Sequence, residues 1–140
     1  MSSSYADLKN FRDNLAALDA DAVEVFIEKA LKHLAARLLR NVKQLTPVGV
    51  YPASSGKTGG TLRRGWKVGQ VRKAGGIYFI EVYNPTEYAP YVEFGHRTRG
   101  GGGWVSGQFM LTISERQLKL NAPRILQNQL NDFVKNHLGG

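Results

Sequence analysis

The sequence predicts an α+β fold in which a long N-terminal helix and a C-terminal helix pack on a small antiparallel β-sheet containing a hairpin, with two long Gly-rich loops. Three observations lead to this prediction. The chain has 140 residues, a length typical of one domain. Apolar residues recur at helical spacing near both ends, whereas the middle holds two strand-like runs. Ten of the 16 glycines fall in two short segments, which predicts a loop at each.

The N-terminal part contains two amphipathic segments. The first follows Ser4, a residue that can cap a helix. The second shows the stronger pattern, because Asp21 and Glu24 form a capping box and Pro47 disfavours helical backbone at Thr46. The predicted apolar stripes are Leu8, Phe11, Leu15 and Leu18 in the first segment, and Val23, Ile27, Ala30, Leu31, Leu34, Leu38 and Val42 in the second.

A β-hairpin is predicted next. Two strand-like runs, 61–72 and 77–83, flank a turn in which Gly75 takes the left-handed position of a three-residue loop. This register leaves a second apolar face that needs a third element or a neighbouring subunit to cover it. The predicted pairs are Trp66 with Val82, Val68 with Ile80 and Lys67 with Glu81, and the uncovered face carries Ile77, Phe79 and Tyr83.

The rest of the chain completes the predicted order of elements. An aromatic connector forms a short helix or turn, a second Gly-rich loop follows, and a helix begins near Thr112 and restarts at Asn121 and Pro123. We expect a single domain over residues 1–140. Its regions are helical (1–45), loop (46–60), β-hairpin (61–83), connector (84–95), loop (96–107) and mainly helical (108–138).

Composition and charge exclude several classes. The absence of cysteine excludes a disulfide scaffold, a Cys-ligated metal site and a cysteine nucleophile. The N-terminus lacks the pattern of a signal peptide and no run of 18 apolar residues occurs, so we expect a soluble, non-exported chain without a membrane contact. The net charge of +8 is uneven. Residues 1–28 carry −4 and the remainder carries +12, which favours polyanions or acidic partners.

Catalytic motifs are weak. The run Ser55-Gly56-Lys57-Thr58 imitates a P-loop, but Tyr51 stands where the motif requires glycine. His33, His96 and His137 show no metal-ligand spacing, and His96 is open to two interpretations, a general base or a hydrogen-bonding or interface residue. Glu87 and Glu93 could form a carboxylate pair, although pairing with Arg97, Arg99 or a neighbouring chain is simpler. We therefore expect no enzyme, catalytic residue, metal or cofactor.

The clustered basic residues give the stronger signal. They surround the predicted hairpin and loops and include an Arg-Gly sequence close to Trp104, a pattern found in nucleic-acid contacts. The alternative is a solvated basic rim that pairs with the acidic N-terminal helices of an adjacent subunit. The residues are Lys57, Arg63, Arg64, Lys67, Arg72, Lys73, Arg97 and Arg99.

Three stretches resemble one protein family. They are TGGTLRRGW (58–66), YNPTEYAPYVEFGHRT (83–98) and GQFML (107–111). In this pattern the chain resembles the tail-completion (head-to-tail joining, or neck) proteins of long-tailed bacteriophages. The resemblance implies a non-enzymatic α+β virion protein that forms a homo-oligomeric, hexameric ring at the neck, with genome DNA passing through the lumen. It also implies assembly in the bacterial host cytoplasm, and a head connector or stopper protein and a tail terminator or tail tube protein as partners.

The leading hypothesis is therefore a structural ring that joins head to tail. Two alternatives remain: a tail-terminator ring, and a free basic nucleic-acid-binding protein. The hypothesised interface residues are Thr58, Leu62, Arg63, Tyr88, Tyr91, Glu93, Phe94, His96, Arg97, Arg99 and Trp104, and the hypothesised DNA or lumen contacts are Lys57, Arg64, Lys67, Arg97 and Arg99.

Overall fold

The computed structural model of the chain describes residues 6, 8–10, 12–13, 20–49, 55, 59–98 and 100–138. Its elements confirm the α+β class. The strands form three two-stranded antiparallel ladders, β1 with β4, β2 with β3, and β5 with β6. The helices are α1 (Ala20–Leu45), α2 (Thr61–Arg64), α3 (Ala89–Phe94) and α4 (Met110–Leu138), and the strands are β1 (Lys67–Val68), β2 (Arg72–Ala74), β3 (Ile77–Phe79), β4 (Val82–Tyr83), β5 (Gly95–Arg97) and β6 (Trp104–Ser106).

The chain divides into two compact units. The first contains residues 1–34, 70–80 and 116–140, and the second contains residues 35–69 and 81–115. Each unit has its own cluster of buried apolar residues. Among the described residues, neither long helix nor any shorter one combines the length and apolar character needed to cross a membrane. Most of the first predicted amphipathic segment, and most of 50–58, lies outside the described residues.

The first unit is built around an aromatic pair. The rings of Phe26 on α1 and Phe133 on α4 lie 5.3 Å apart at 55°, a tilted arrangement that favours aromatic contact. Ala30 and Leu130 complete this buried cluster. The predicted stripe of α1 is confirmed in part and displaced in part. Ala30 and Val42 are buried as predicted, whereas Val23 and Ile27 are half-buried and Phe26, which lies outside the predicted stripe, is buried. The displacement follows the bulky Phe26 ring, because burying it removes the largest apolar surface from water.

The restart predicted in the C-terminal helix is wrong. Helix α4 runs continuously from Met110 to Leu138 with Pro123 in its interior. Proline there removes a backbone donor and costs about 3 kcal/mol. Buried Ile125 and Leu130 follow it on the same helix, and their burial offsets this cost. The Asn121 side chain donates to the Gln117 carbonyl at 2.9 Å, so it supports the turn before the proline instead of ending the helix.

The predicted hairpin 61–83 begins later than expected. Residues Thr61–Arg64 form the helical turn α2 instead of strand, and Gly60 before it has φ 90°. This positive φ is accessible to glycine at little cost, and it directs the chain into the turn. Leu62 is consequently buried in the core of the second unit, and the Asn84 amide donates to its carbonyl at 2.8 Å.

The predicted register is also wrong. Val68 pairs with Val82 instead of Ile80, and Lys67 pairs with Tyr83 instead of Glu81. The turn consists of Gly75 and Gly76 with φ 58° and 79°, so Gly75 is left-handed as predicted but the loop has two residues. A type I′ turn needs positive φ at both central positions, and Gly-Gly meets this requirement. Ile77, Phe79 and Tyr83 remain exposed.

The predicted loop 96–107 contains a second hairpin. Strands β5 and β6 pair Gly95 with Ser106, His96 with Val105 and Arg97 with Trp104. The Thr98 amide donates to the Gly103 carbonyl at 3.0 Å and closes the tip. The glycine run misled the sequence interpretation, because glycine is rare in strands yet common in the turn that joins them. The predicted connector helix is confirmed as α3.

The core of the second unit contains a buried polar chain. The Trp66 indole N–H donates to the Thr46 hydroxyl at 2.7 Å, and this hydroxyl donates to the Val42 carbonyl at 2.6 Å. The Arg63 guanidinium donates to the Thr46 carbonyl at 2.8 Å. Thr46, the residue after α1, therefore links the end of this helix to the segment that carries Arg63 and Trp66.

We expect Thr46→Val to lower the free energy of unfolding by about 2 kcal/mol, because valine keeps the shape but leaves the buried Trp66 N–H without an acceptor. Thr46→Ser is the matched control. It keeps the hydroxyl and loses one buried methyl, so a loss of about 1 kcal/mol is expected. Urea unfolding followed by tryptophan fluorescence measures both. A valine variant as stable as the serine variant would contradict the role assigned to the hydroxyl.

Candidate interaction surface

Helix α3 and the β5–β6 hairpin are joined through main-chain contacts. The last carbonyls of α3, those of Val92 and Glu93, accept hydrogen bonds from the amides of Gln108 and Phe109 at 2.8 and 3.0 Å. Carbonyls at a helix C-terminus lack partners within their helix. These two bonds therefore satisfy carbonyls near the end of α3 and hold the segment that follows β6 against it.

Glycine is needed where the hairpin meets α3. Gly95 has φ 89°, and a Cβ on it would lie 2.5 Å from the Val105 carbonyl oxygen and 2.9 Å from the Trp104 ring. A Cβ on Gly107 would meet the Glu93 carbonyl oxygen and lie 2.9 Å from the Gly95 nitrogen. The two glycines allow the strands and the helix end to approach backbone to backbone.

The hairpin presents two different faces. Directly paired residues of an antiparallel ladder point to the same face, so Arg97 and Trp104 share one and His96 and Val105 share the other. Trp104 is 61% exposed and Arg97 is also exposed. On the opposite face, the Tyr91 ring meets the His96 ring edge-on, with centroids 6.1 Å apart.

Helix α3 adds further exposed aromatic residues. Phe94 is 63% exposed and Tyr91 is 59% exposed, and Tyr88 just before the helix is also exposed. Phe94 additionally lines an apolar groove of about 240 Å³ in the second unit. The groove is lined by Trp66, Val82, Tyr83, Asn84, Ala89, Pro90, Glu93, Phe94 and Leu111. Exposed aromatic and arginine side chains beside a groove are typical of protein interfaces.

Glu93 has an internal role that the sequence did not reveal. Its side chain is buried, at 6% exposure, and binds the start of α4. One carboxylate oxygen accepts the Leu111 amide at 2.8 Å, and the other accepts the Thr112 amide at 3.1 Å and the Thr112 hydroxyl at 2.7 Å. A cap side chain normally satisfies these amides, but Phe109, which precedes α4, carries no acceptor. Glu93 thus caps α4, although it lies 17 residues before Met110, the first residue of that helix.

The hypothesised site residues fall into four groups. Exposed and available are Tyr88, Tyr91, Phe94, Arg97, Trp104, Arg64 and Lys67. Leu62 and Glu93 are buried, Arg63 and His96 are half-buried, and Thr58, Lys57 and Arg99 lie outside the described residues. Arg64 donates to the Gly59 carbonyl at 3.0 Å, so it supports its own loop.

Some exposed residues were missed by the sequence interpretation. Val105 and Phe109 are exposed beside Trp104 and α3, and neither was among the hypothesised site residues. Phe109 has φ 49°, which is uncommon for a residue other than glycine, and its amide is held by the Glu93 carbonyl. The sequence contains one signal of this distant cap. Gly-Gln-Phe precedes the helix, so no Ser, Thr, Asp or Asn stands at the cap position and another residue must supply the acceptor.

Metal chemistry finds no support in the geometry. Within the part of the chain that the structure describes, no three side chains of His, Asp or Glu are grouped to hold a metal ion. Glu93, one half of the imagined carboxylate pair, is occupied by the amides of α4. The exposed side chains of α3 and the β5–β6 hairpin are mainly aromatic rings, together with Arg97.

Comparison with known proteins identifies a family. A family model described as "Bacteriophage HK97-gp10, putative tail-component" matches residues 9–95, which include α1, the first two ladders and α3. Searches of curated proteins and of solved structures find no significant match. Since the matched segment covers more than half of the chain, the chain belongs to the HK97 gp10-like family of bacteriophage tail components.

Proposed function

We propose that this tail component is a tail-completion protein, which forms a hexameric ring at the neck and joins the head to the tail without catalysing a reaction. In this role one side of the ring contacts a head connector or stopper protein, and the other contacts a tail terminator or tail tube protein. Genome DNA passes through the lumen. Localisation in the virion follows from membership in a phage tail-component family.

One observation supports a connecting role most directly. Tyr91, Phe94 and Trp104 are each more than half exposed, and they lie on two adjoining elements together with Arg97. Tyrosine, tryptophan and arginine are the residues enriched at interface hot spots. A chain that works alone in water gains nothing from exposing them, whereas one embedded between neighbours in a particle buries them on assembly.

A nonsense mutation in the gene tests the proposal. If the protein joins head to tail, infected cells should accumulate DNA-filled heads and separate tails of normal length, as counted by electron microscopy, and wild-type protein supplied in trans should join them. Tails of irregular length would instead indicate a tail terminator. Normal joined particles would contradict both ring functions.

Salt dependence distinguishes the nucleic-acid alternative. A free DNA-binding protein built on the basic cluster should bind duplex DNA as a monomer, with an affinity that falls steeply between low and physiological salt. We expect weak monomer binding, because only Arg64, Lys67 and Arg97 of the hypothesised contacts are described as exposed, and Arg64 is already bonded to its own loop. Tight, salt-sensitive monomer binding would favour the alternative.

The tip of the β5–β6 hairpin gives a separate prediction. Residues 99–102 can be replaced by Asn-Gly, because a two-residue turn can join the paired Thr98 and Gly103. We expect this chain to fold normally and to lose most head-to-tail joining in the in vitro assay with separated heads and tails. Gly102→Ala is the control, since a Cβ there meets open space. Unchanged joining by the shortened hairpin would remove the tip from the proposed contacts.

A further inference from the structure

We propose that the subunits of the ring meet through two different surfaces. The aromatic–arginine face of one copy, defined as Phe94, Arg97 and Trp104, binds the acidic stripe of a second copy, defined as Asp21, Glu24, Val25 and Glu28 at the start of α1. This inference rests on the proposed ring, and it names which surfaces close it. The binding partner of the aromatic–arginine face is thus a second copy of the chain.

The aromatic–arginine face carries uncompensated positive charge around an apolar centre. Arg97 and Trp104 are directly paired across β5 and β6, and among the described residues Arg97 forms no ion pair. No acidic residue occurs in the sequence between Phe94 and Ser114. Phe94, the exposed residue that precedes β5, lines the apolar groove of about 240 Å³, which can receive an aliphatic side chain.

The acidic stripe has the complementary composition. Asp21, Val25 and Glu28 are spaced by four and three residues, so they lie on one side of α1, and Glu24 adjoins them. All four side chains are exposed, and Val25, at 45% exposure, is an apolar residue surrounded by carboxylates. The Tyr78 hydroxyl, and more weakly Glu24, raise the pKa of Lys73, so Glu24 already has a cationic neighbour in its own chain.

Charge decides between the two ways in which copies could pair. If the aromatic–arginine face met its own equivalent, Arg97 would face Arg97, and like charges across an interface are strongly unfavourable. Contact with the acidic stripe instead places Arg97 among carboxylates and Trp104 or Phe94 against Val25. Two different surfaces make a heterologous contact, and such contacts form a ring when the rotation between neighbouring copies closes.

A charge-swap experiment tests this contact. One variant reverses the stripe (Asp21→Lys with Glu28→Lys), the other reverses the face (Arg97→Glu), and native mass spectrometry with sedimentation velocity measures assembly of the purified full-length chain. Each variant alone should assemble at least about tenfold more weakly than wild type, because like charges meet. An equimolar mixture of the two variants should regain assembly. The native face of the stripe variant then meets the native stripe of the face variant, and the lysines of the reversed stripe meet the glutamate of the reversed face.

The mixture also controls for folding, because only folded variants can restore each other. Arg116→Glu makes the same charge change at an exposed position of α4, outside the face, the stripe and the hypothesised site residues, and should assemble as wild type does. A wild-type chain that stays monomeric at millimolar concentration, variants that assemble normally, or a mixture that stays dissociated would each overturn the inference. If these variants assemble normally while the nonsense mutant still leaves heads and tails apart, the inference fails and the proposed function stands.

Discussion

Glu93→Ala is expected to lower the free energy of unfolding by about 3 kcal/mol, one of the two largest effects that the structure predicts. The substitution removes a buried carboxylate that accepts three hydrogen bonds, which the Leu111 amide, the Thr112 amide and the Thr112 hydroxyl donate. Bonds to a charged group are stronger than neutral ones, and the carboxylate also lies at the positive end of the α4 dipole. Without the Glu93 carboxylate, the backbone amides in the first turn of α4 lack a good hydrogen-bond acceptor.

Two variants make the Glu93 result interpretable. Glu93→Gln keeps an acceptor but loses the charge, so an intermediate loss is expected. Glu87→Ala removes an exposed carboxylate six residues earlier and should change stability by less than about 0.5 kcal/mol. Urea unfolding gives the free energies, and amide hydrogen exchange at Leu111 and Thr112 reports the cap itself. Unchanged exchange at these two amides in Glu93→Ala would show that the carboxylate does not cap α4.

Gly95→Ala is expected to be at least as damaging, with a loss of about 4 kcal/mol or failure to fold. Two costs add at this residue. Alanine is strained at φ 89°, and its Cβ would lie 2.5 Å from the Val105 carbonyl oxygen. The Val105 carbonyl oxygen belongs to the backbone of β6 and cannot rotate aside as a side chain would, so relief requires β5 and β6 to move apart.

Other glycines of the same hairpin separate these costs. Gly101 has φ 76° but open space around it, so Gly101→Ala should show the conformational cost alone, about 1 kcal/mol. Gly102 has neither restriction, and alanine there should be nearly neutral. Thermal unfolding of the three variants under identical conditions gives the comparison. Equal stability of the Gly95 and Gly101 variants would contradict the close backbone approach.

The two long helices, the first hairpin and the connector helix could be predicted because they depend on local patterns. Pro47 limits α1, and the helical spacing of apolar residues indicated both long helices. The turn at Gly75 was recognised for the same reason, since glycine readily takes positive φ. The pattern around Tyr91 and Gly95 also sufficed to place the chain in a phage tail family, and the family comparison agrees.

Registers and faces were not predictable to the same extent. The choice between a two-residue and a three-residue turn at Gly75 shifts every pair of the hairpin, and the sequence allows both. Helix α1 carries apolar residues on two adjacent sides, so its buried side depends on the partner, here Phe133 on α4. The hairpin β5–β6 was missed because its two strands have only three residues each and the glycine run between them suggested a loop.

The sequence by itself determined the class of fold, the number of long helices, the positions of the glycine turns and the separation of acidic and basic residues along the chain. Only the tertiary structure decided what those residues do. Glu93 became a helix cap and Leu62 a core residue, while Phe94, Arg97 and Trp104 remained exposed. The physical reason is the range of the interactions. Turn preference and helical periodicity act between neighbours in sequence, whereas capping, burial and strand pairing depend on residues brought together by folding.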